Sequence, residues 1–158
     1  MPDKKNNDLS SLVKVLPDKP GIYQFFDKNA EIIYIGKAKS LKKRVASYFN
    51  KDRRHSGKIS VMVRKIADIR HIVVDTELDA LLLENNLVKK YQPRYNVMLK
   101  DDKTYPWICI RNERFPRIFP TRNLVDDGSE YFGPYASGKM MHTLLELVQI
   151  AAAKGVRS

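Results

Sequence analysis

Two tyrosines, each in the middle of a short β-rich segment, are the first candidates for chemistry in this chain. Tyr23 lies in Gly21–Phe26 and Tyr34 lies in Ile32–Gly36, with five turn-forming residues between the segments. This spacing predicts an antiparallel hairpin in which the tyrosines are nearly opposite, with Cβ atoms roughly 5 Å apart. Lys37 would place a cation beside Tyr34, which lowers the pKa of a phenol and makes it a better base. Simple packing of the two rings is the alternative.

An arginine and a third tyrosine follow on a predicted helix. Gly36 is predicted to let the backbone turn sharply, and Ser40 can cap the helix after it. Arg44 and Tyr48 are four residues apart, so they share one ridge at the border of the apolar stripe of this helix. Tucked against the sheet, the Arg44 guanidinium could grip a phosphate. The alternative is that its alkyl chain only covers the edge of the core.

Glu84 is a carboxylate among apolar residues on a strong predicted helix, Glu77–Tyr91, which Thr76 can cap. It lies between Leu81 and Val88 on adjoining turns, and a partly desolvated carboxylate should be paired, protonated or bound to a metal. A salt bridge to one of the many lysines is the alternative. The buried face of this helix is predicted to consist of Leu78, Leu81, Leu82 and Val88.

Taken together, these residues fit a site that hydrolyses a phosphodiester. Such a reaction needs an activated water, a cation against the charge that develops on the phosphoryl oxygens, and a grip that sets the line of attack. Magnesium commonly keeps several waters and takes one or two carboxylates, so Glu84 alone is a plausible weak metal site. Asn96, between Tyr95 and Val97, could order a loop. Serine–histidine catalysis has no support, because no motif places any of the three histidines.

The basic charge of the chain is concentrated in one segment. The 158 residues contain 29 Lys and Arg against 18 Asp and Glu, a net charge of +11. Between Lys37 and Lys65 there are 11 basic residues and one acid, Asp52, so this window alone carries +10. A local excess of this size favours a surface that binds nucleic acid, with an acidic membrane surface second. The competing interpretation is a solvated helical surface.

Composition excludes several classes of protein. No stretch reaches the roughly 18 consecutive apolar residues that a membrane span needs, and the N-terminus lacks the apolar core of a secretory signal. The single cysteine, Cys109, excludes internal disulfides and fits a reducing, cytoplasmic setting. No Cys/His cluster suggests a zinc module, and nothing demands more than a monomer.

The predicted elements form an α+β fold. A small antiparallel sheet with the order β-β-α-α-β-α is flanked by helices, and a first helix capped by Asp8 precedes it. Beyond residue 100 the pattern predicts a hairpin, a turn and a final helix. The remaining boundaries are a basic helix over Lys58–Ile66, a third strand over Ile69–Val74, hairpin strands over Tyr105–Ile110 and Arg117–Thr121, and a last helix from near Ser137.

Gly21-Ile-Tyr23 followed by Tyr34-Ile-Gly36 resembles the signature of the GIY-YIG nuclease family. Arg44, ten residues after the second tyrosine, the helix that carries Glu84, and Asn96 twelve residues beyond it all match the family pattern. The resemblance is narrower still to the branch that supplies the excision nuclease of bacterial nucleotide-excision repair. That narrower match rests on four segments: Tyr34–Phe49, Glu77–Asn96, Asp101-Asp-Lys-Thr-Tyr-Pro106 and Tyr131-Phe-Gly-Pro-Tyr135.

This resemblance implies a GIY-YIG endonuclease-like fold and a divalent-metal-dependent endonuclease that cuts damaged double-stranded DNA on the 3′ side of a bulky lesion, together with UvrA and UvrB. Glu84 would hold a single Mg²⁺ or Mn²⁺, and Arg44 would stabilise the scissile phosphate. Tyr34 would accept the proton of the attacking water, with Lys37 tuning it. Tyr23 and Tyr48 would orient water or phosphate, and Asn96 would hold the site together.

The resemblance also suggests boundaries and rival functions. We expect a nuclease domain with an N-terminal helix over residues 1–100, an extension typical of the repair subunit over 101–150, and a tail that looks truncated over 151–158. From the resemblance we expect the second nuclease region, the UvrB-binding segment and the helix-hairpin-helix part of the repair subunit to lie outside the residues of this chain. A stand-alone GIY-YIG nuclease and a non-catalytic nucleic-acid-binding domain of the same fold are the alternatives.

Overall fold

The computed structural model describes residues 9–50, 57–99 and 105–156, and the side chains up to residue 150. The chain divides into two compact units, an N-terminal unit (Met1–Leu99) and a C-terminal unit (Lys100–Ser158). The predicted cap Asp8, the acid Asp52 and the basic residues of the window between 51 and 56 lie outside the described residues. None of the helices in the described part of the chain is long and apolar enough to cross a membrane.

The N-terminal unit is a three-stranded antiparallel sheet with helices around it, which confirms the predicted fold class and element order. The strand order is β2-β1-β3, so β1 is central and β2 is an edge strand. A short fifth helix after Pro93 was not predicted. The elements are α1 (residues 9–14), β1 (Gly21–Phe26), β2 (Ile32–Ala38), α2 (Leu41–Tyr48), α3 (Gly57–Lys65), β3 (Asp68–Val73), α4 (Glu77–Tyr91) and α5 (Arg94–Met98).

The predicted caps Ser40 and Thr76 are confirmed, and they fix where the site-bearing helices begin. The Ser40 hydroxyl accepts a hydrogen bond from the Lys43 amide at the start of α2. The Thr76 hydroxyl does the same for the Asp79 amide at the start of α4. α4 ends at Gln92, which has a left-handed backbone conformation with φ of 46°. These caps satisfy amides that a helix end leaves without partners.

The register of the β1–β2 hairpin differs from the prediction. Tyr23 is paired with Gly36, and Tyr34 is paired with Phe25, so the two tyrosines are diagonal neighbours rather than opposite each other. The reason is local, because the register shifts between Phe25 and Phe26 beside the five-residue loop. Diagonal positions on one face of an antiparallel pair still allow aromatic rings to touch.

The buried face of α4 was also predicted wrongly in part. Leu78 and Leu82 are 40% and 41% exposed. The face of α4 that packs inward has Glu84 and Asn85 in its middle. Positions three and four apart share one side of a helix, and Leu78 and Leu82 lie on the flank of that side. The buried residues of α4 are Ala80, Leu81, Glu84, Asn85 and Val88.

The C-terminal unit is a second small antiparallel sheet with one helix. The predicted hairpin and the predicted start of the final helix are confirmed, and the strand order is β5-β4-β6. The third strand has only three residues and was not predicted. α6 packs on β4 and β5 through a core of Ile108, Met141 and Leu145. The elements are β4 (Trp107–Ile110), β5 (Ile118–Thr121), β6 (Glu130–Phe132) and α6 (Gly138–Val156), which continues into the predicted tail.

Candidate active site

Gly36 leaves the space that the ring of Tyr23 occupies. The residue lies within strand β2 and is paired with Tyr23 across the hairpin, so the prediction of a sharp turn at Gly36 is wrong. A Cβ atom at this position would overlap the ring and hydroxyl of Tyr23. The glycine is therefore needed for close approach of a side chain, and it places the Tyr23 hydroxyl against the backbone of the neighbouring strand.

Four aromatic rings form one cluster on this face of the sheet, and the cluster fixes the tyrosines relative to each other. Phe25 lies at its centre, with ring centroids 5.2 Å from Tyr23, 5.2 Å from Tyr48 and 6.0 Å from Tyr34. The centroids of Tyr23 and Tyr34 are 6.1 Å apart. Phe25 was not singled out from the sequence, although its position two residues after Tyr23 puts both side chains on the same face of β1.

A chain of hydrogen bonds leads from the core to a surface arginine. The hydroxyls of Tyr23 and Tyr48 are 2.8 Å apart, and Nη2 of Arg44 donates to the Tyr48 hydroxyl at 3.2 Å. The Arg44 guanidinium also lies 5.0 Å from the centre of the Tyr48 ring. Arg44 is nevertheless exposed, so the cluster orients its guanidinium while leaving it open to a ligand. The binding of a phosphate by Arg44 stays a prediction, and the structure shows that Tyr48 orients the guanidinium.

The direction of the tyrosine pKa shifts is opposite to the prediction. Burial, together with Tyr48 and the charge of Glu84, raises the pKa of Tyr34. Burial likewise raises the pKa of Tyr23 well above its usual value, with Tyr34 and Tyr48 adding to the effect. Both phenols are therefore neutral near pH 7. The cation that partly opposes the shift is Arg44 rather than Lys37.

Lys37 does not share the face of the sheet that carries the tyrosine cluster. It is paired with Ile22, one step out of phase with the pairing of Tyr23 and Gly36. Side chains alternate along a strand, so Tyr34 and Gly36 point to one face and Lys37 to the other. The predicted contact of Lys37 with the Tyr34 phenol fails for this reason, because sequence adjacency was mistaken for adjacency in space.

Glu84 is buried, with 8% of its surface exposed, on α4, which packs on β1 and β2. Its charge contributes to the raised pKa of Tyr34, which brings the carboxylate into the electrostatic neighbourhood of that hydroxyl. The structure thus brings Glu84, Tyr34, Tyr48 and Arg44 together. Among the described residues there is no group of three or more acidic, histidine or cysteine side chains that could hold a metal ion.

Asn96 is bound to the outer edge of the sheet, at strand β2. Its side-chain oxygen accepts from the Ile35 amide, and its side-chain nitrogen donates to the Ile35 carbonyl, both at 2.8 Å. These are the backbone groups that edge strand β2 would otherwise present without a strand partner. Asn96 thus orders strand β2, one residue from Tyr34, rather than the loop that was predicted.

The basic window forms an exposed surface on α2 and α3. Lys39, which lies in this window, makes a surface ion pair with Glu77 at 3.5 Å. Basic side chains on both helices are exposed and therefore available to a polyanion. They are Lys42, Lys43, Arg44, Lys58, Arg64 and Lys65.

Comparison with known proteins finds matches to the part of the chain that carries the candidate site. A family model described as the UvrC-like GIY-YIG domain matches residues 19–97. The chain is 68% identical over 141 residues to UvrABC system protein C of Christiangramia forsetii, covering 89% of this chain and 24% of that protein. The chain therefore spans about a quarter of the length of the curated relatives that it matches.

Solved structures give a similar result. The chain is similar to the magnesium-bound GIY-YIG N-terminal endonuclease domain of UvrC from Thermotoga maritima, with 39% identity and a TM-score of 0.51. The match covers 57% of this chain and 97% of that domain. A point mutant of that domain, with phenylalanine in place of one tyrosine and bound to its catalytic divalent cation, matches with 38% identity and a TM-score of 0.52, covering 57% of this chain and 96% of that one.

Proposed function

Because the chain belongs to the UvrC-like GIY-YIG domain family, we propose that it is a divalent-metal-dependent DNA endonuclease that hydrolyses a phosphodiester bond. One observation carries the proposal above the others. Glu84 is a buried carboxylate whose charge contributes to the raised pKa of Tyr34, and Tyr34 belongs to a tyrosine cluster that orients the exposed Arg44 guanidinium. A phosphodiesterase site needs these three kinds of group close together.

The donor set at the site fits a magnesium or manganese ion. Glu84 would hold a single ion, because one carboxylate with a shell of waters is a common arrangement for magnesium. When bound, such an ion supplies positive charge against the phosphoryl oxygens and lowers the pKa of a coordinated water. The magnesium-bound domain of the relative supports this assignment. Its tyrosine-to-phenylalanine mutant still binds the cation, which supports a site whose metal binding does not require that tyrosine.

We assign the remaining catalytic roles by how exposed each side chain is. Tyr34 is half-buried and can contact water, whereas Tyr23 is 1% exposed. We therefore assign proton acceptance to Tyr34 in its phenolate form, which the charge of Arg44 and of a cation held by Glu84 would favour against the effect of burial. Tyr23, which bonds Tyr48, would have a positioning role. Arg44 would bind the non-bridging oxygens of the scissile phosphate through its planar fork. Lys37 would act on the phosphate backbone rather than on the Tyr34 phenol, because it lies on the other face of the sheet.

The biological setting follows from the relatives. Proteins named UvrABC system protein C imply action with UvrA and UvrB on damaged double-stranded DNA, and we assign the 3′ incision to this domain. The exposed basic surface of α2 and α3 would guide the DNA backbone toward the site. We further propose that the domain acts as a monomer in the bacterial cytoplasm, which the single cysteine favours.

The test is incision of a lesion-bearing duplex by UvrA, UvrB and the full-length protein that carries this domain. With Glu84→Gln, we expect the 3′ cut to be lost and the binding of Mn²⁺ to the domain to disappear. Glu77→Gln is the matched control, because Glu77 lies on the same helix with its side chain 55% exposed. Undiminished 3′ incision by Glu84→Gln would refute the metal assignment. Incision by this domain without UvrA and UvrB would favour the stand-alone nuclease instead.

A further inference from the structure

The loop end of the β4–β5 hairpin in the C-terminal unit is rich in arginine and has an exposed phenylalanine. Packing within the unit does not require this composition. We call residues Arg111–Arg117 the arginine hairpin. The Arg111 amide donates to the Arg117 carbonyl at 3.0 Å, so the ladder of β4 and β5 continues to these two residues. The segment reads Arg-Asn-Glu-Arg-Phe-Pro-Arg, with three arginines and one acid. Its net charge is therefore +2.

An aromatic side chain projects from the tip of the arginine hairpin. Phe115 is 77% exposed, more than any other large apolar side chain in the described residues. The Arg114 guanidinium lies 5.5 Å from the centre of the Phe115 ring. The core of the unit is formed elsewhere, by Ile108 and residues of α6. Phe115 therefore contributes little to folding, and its apolar surface is available for another molecule.

The other two arginines are held in place by contacts within the unit. Both Arg111 and Arg117 lie over the ring of Phe119, at 5.3 Å and 5.8 Å from its centre. Arg117 also donates from Nε to the Glu113 carboxylate at 2.6 Å. The backbone pairing of the two arginines puts their side chains on one face of the hairpin. Cation–π and ionic contacts thus pre-order two guanidinium groups at the base of the tip.

We propose that the arginine hairpin is a second DNA-binding element, in which Phe115 inserts against a weakly stacked base step and Arg114 contacts the adjacent phosphate. The proposal rests on the proposed function, because it takes DNA as the ligand. Double-stranded DNA offers both partners that the tip needs, phosphates for guanidinium groups and flat base surfaces for an aromatic ring. Apolar wedges of this kind enter duplexes where stacking is weakest.

The experiment measures binding of a fluorescent duplex to the chain without divalent metal, so that cleavage plays no part. The duplex is used fully paired and with one mismatched step. Phe115→Ala should raise the Kd for the mismatched duplex about tenfold, within the usual cost of losing one base-stacking contact. Arg114→Ala should weaken binding to both duplexes and reduce the slope of log Kd against log salt by about one.

Matched controls come from the same unit. Phe132→Ala removes another exposed phenylalanine, and Lys139→Ala removes another exposed cation on α6. We expect both to bind like the unmodified chain. Thermal melts check that each variant folds. Unchanged Kd and salt slope in Phe115→Ala and Arg114→Ala would overturn the proposal. This is the result expected if the tip binds a protein partner instead of DNA.

The outcome of the DNA-binding experiment does not depend on whether the domain cleaves DNA. Glu84→Gln abolishes incision in the proposed function but leaves the arginine hairpin intact. If Glu84→Gln still incised DNA while the hairpin variants lost affinity, the assignment of the metal ion to Glu84 would fail and the hairpin proposal would stand. If Glu84→Gln lost incision while the hairpin variants bound normally, the opposite conclusion would hold.

Discussion

The Asn96 side chain completes the backbone hydrogen bonding of Ile35, to which it both donates and accepts at 2.8 Å. The asparagine comes from α5, whereas Ile35 is the residue after Tyr34 on edge strand β2. An amide side chain has one donor and one acceptor side, so it can replace a neighbouring strand at one residue. The position of Tyr34 therefore depends on a residue that is 61 positions away from the strand it holds.

Replacing this amide by a carboxylate tests its role. Asn96→Asp keeps the shape of the side chain but puts an oxygen against the Ile35 carbonyl and removes the donor. We expect the free energy of unfolding to fall by about 1–3 kcal/mol, the usual cost of a lost buried hydrogen bond. Urea denaturation of the chain measures it. Asn86→Asp is the control, because Asn86 is exposed on α4. Equal stability of the two variants would contradict the edge-strand role.

A second prediction concerns the space at Gly36. Gly36→Ala would push a methyl group into the ring of Tyr23, and we expect a loss of about 1–3 kcal/mol in the free energy of unfolding from overpacking. Gly57→Ala is the matched control, because nothing lies within 4 Å of a Cβ atom there. That change should be neutral or stabilising by up to about 1 kcal/mol. Urea denaturation of both variants decides, and a harmless Gly36→Ala would show that the ring can move aside.

Arg44 should be needed for its shape as well as its charge. We expect Arg44→Ala to reduce 3′ incision about 10²–10³-fold, as for loss of one group that stabilises developing charge. Arg44→Lys should restore little, because an ammonium lacks the planar fork that can bond Tyr48 and a phosphate together. Initial rates with a lesion-bearing duplex measure the effect. Lys14→Ala, which removes an exposed lysine on α1 outside the basic window, should leave the rate unchanged. Full rescue by lysine would reduce the role of Arg44 to charge alone.

The raised pKa of Tyr23 predicts a specific loss of stability at alkaline pH. Burial, with Tyr34 and Tyr48, raises the pKa in the folded state above the value near 10 of an unfolded tyrosine. The stability due to the neutral phenol is therefore complete below about pH 10 and is lost as the pH rises toward the folded-state pKa.

The denaturation midpoint measured from pH 7 upward tests this. Tyr23→Phe cannot ionise at this position, so its midpoint should fall less steeply above about pH 10 than that of the unmodified chain. Tyr91→Phe removes a hydroxyl from a side chain that is 48% exposed, and it should keep the original pH dependence. Identical slopes for Tyr23→Phe and the unmodified chain would show that the Tyr23 hydroxyl ionises as easily folded as unfolded.

Local sequence signals were enough for most of the elements. The β-rich composition of Gly21–Phe26 and the caps Ser40 and Thr76 predicted β1, α2 and α4 correctly, because these signals act within a few residues. They also selected the residues of the candidate site, apart from Phe25. They failed for β6 and α5, which have three and five residues. Elements this short have no period to detect, and tertiary contacts determine them.

The sequence by itself determined which chemical groups this protein has and on which elements they lie, because spacing along a helix or strand follows from backbone geometry. Tertiary structure alone decided how those groups face each other. A register shift at Phe25 made Tyr23 and Tyr34 diagonal neighbours, pleating turned Lys37 away from them, and α5 brought Asn96 to Ile35. Burial of the cluster then raised the tyrosine pKa values that a neighbouring lysine had been expected to lower. Desolvation depends on the packing of several elements, and no local pattern encodes it.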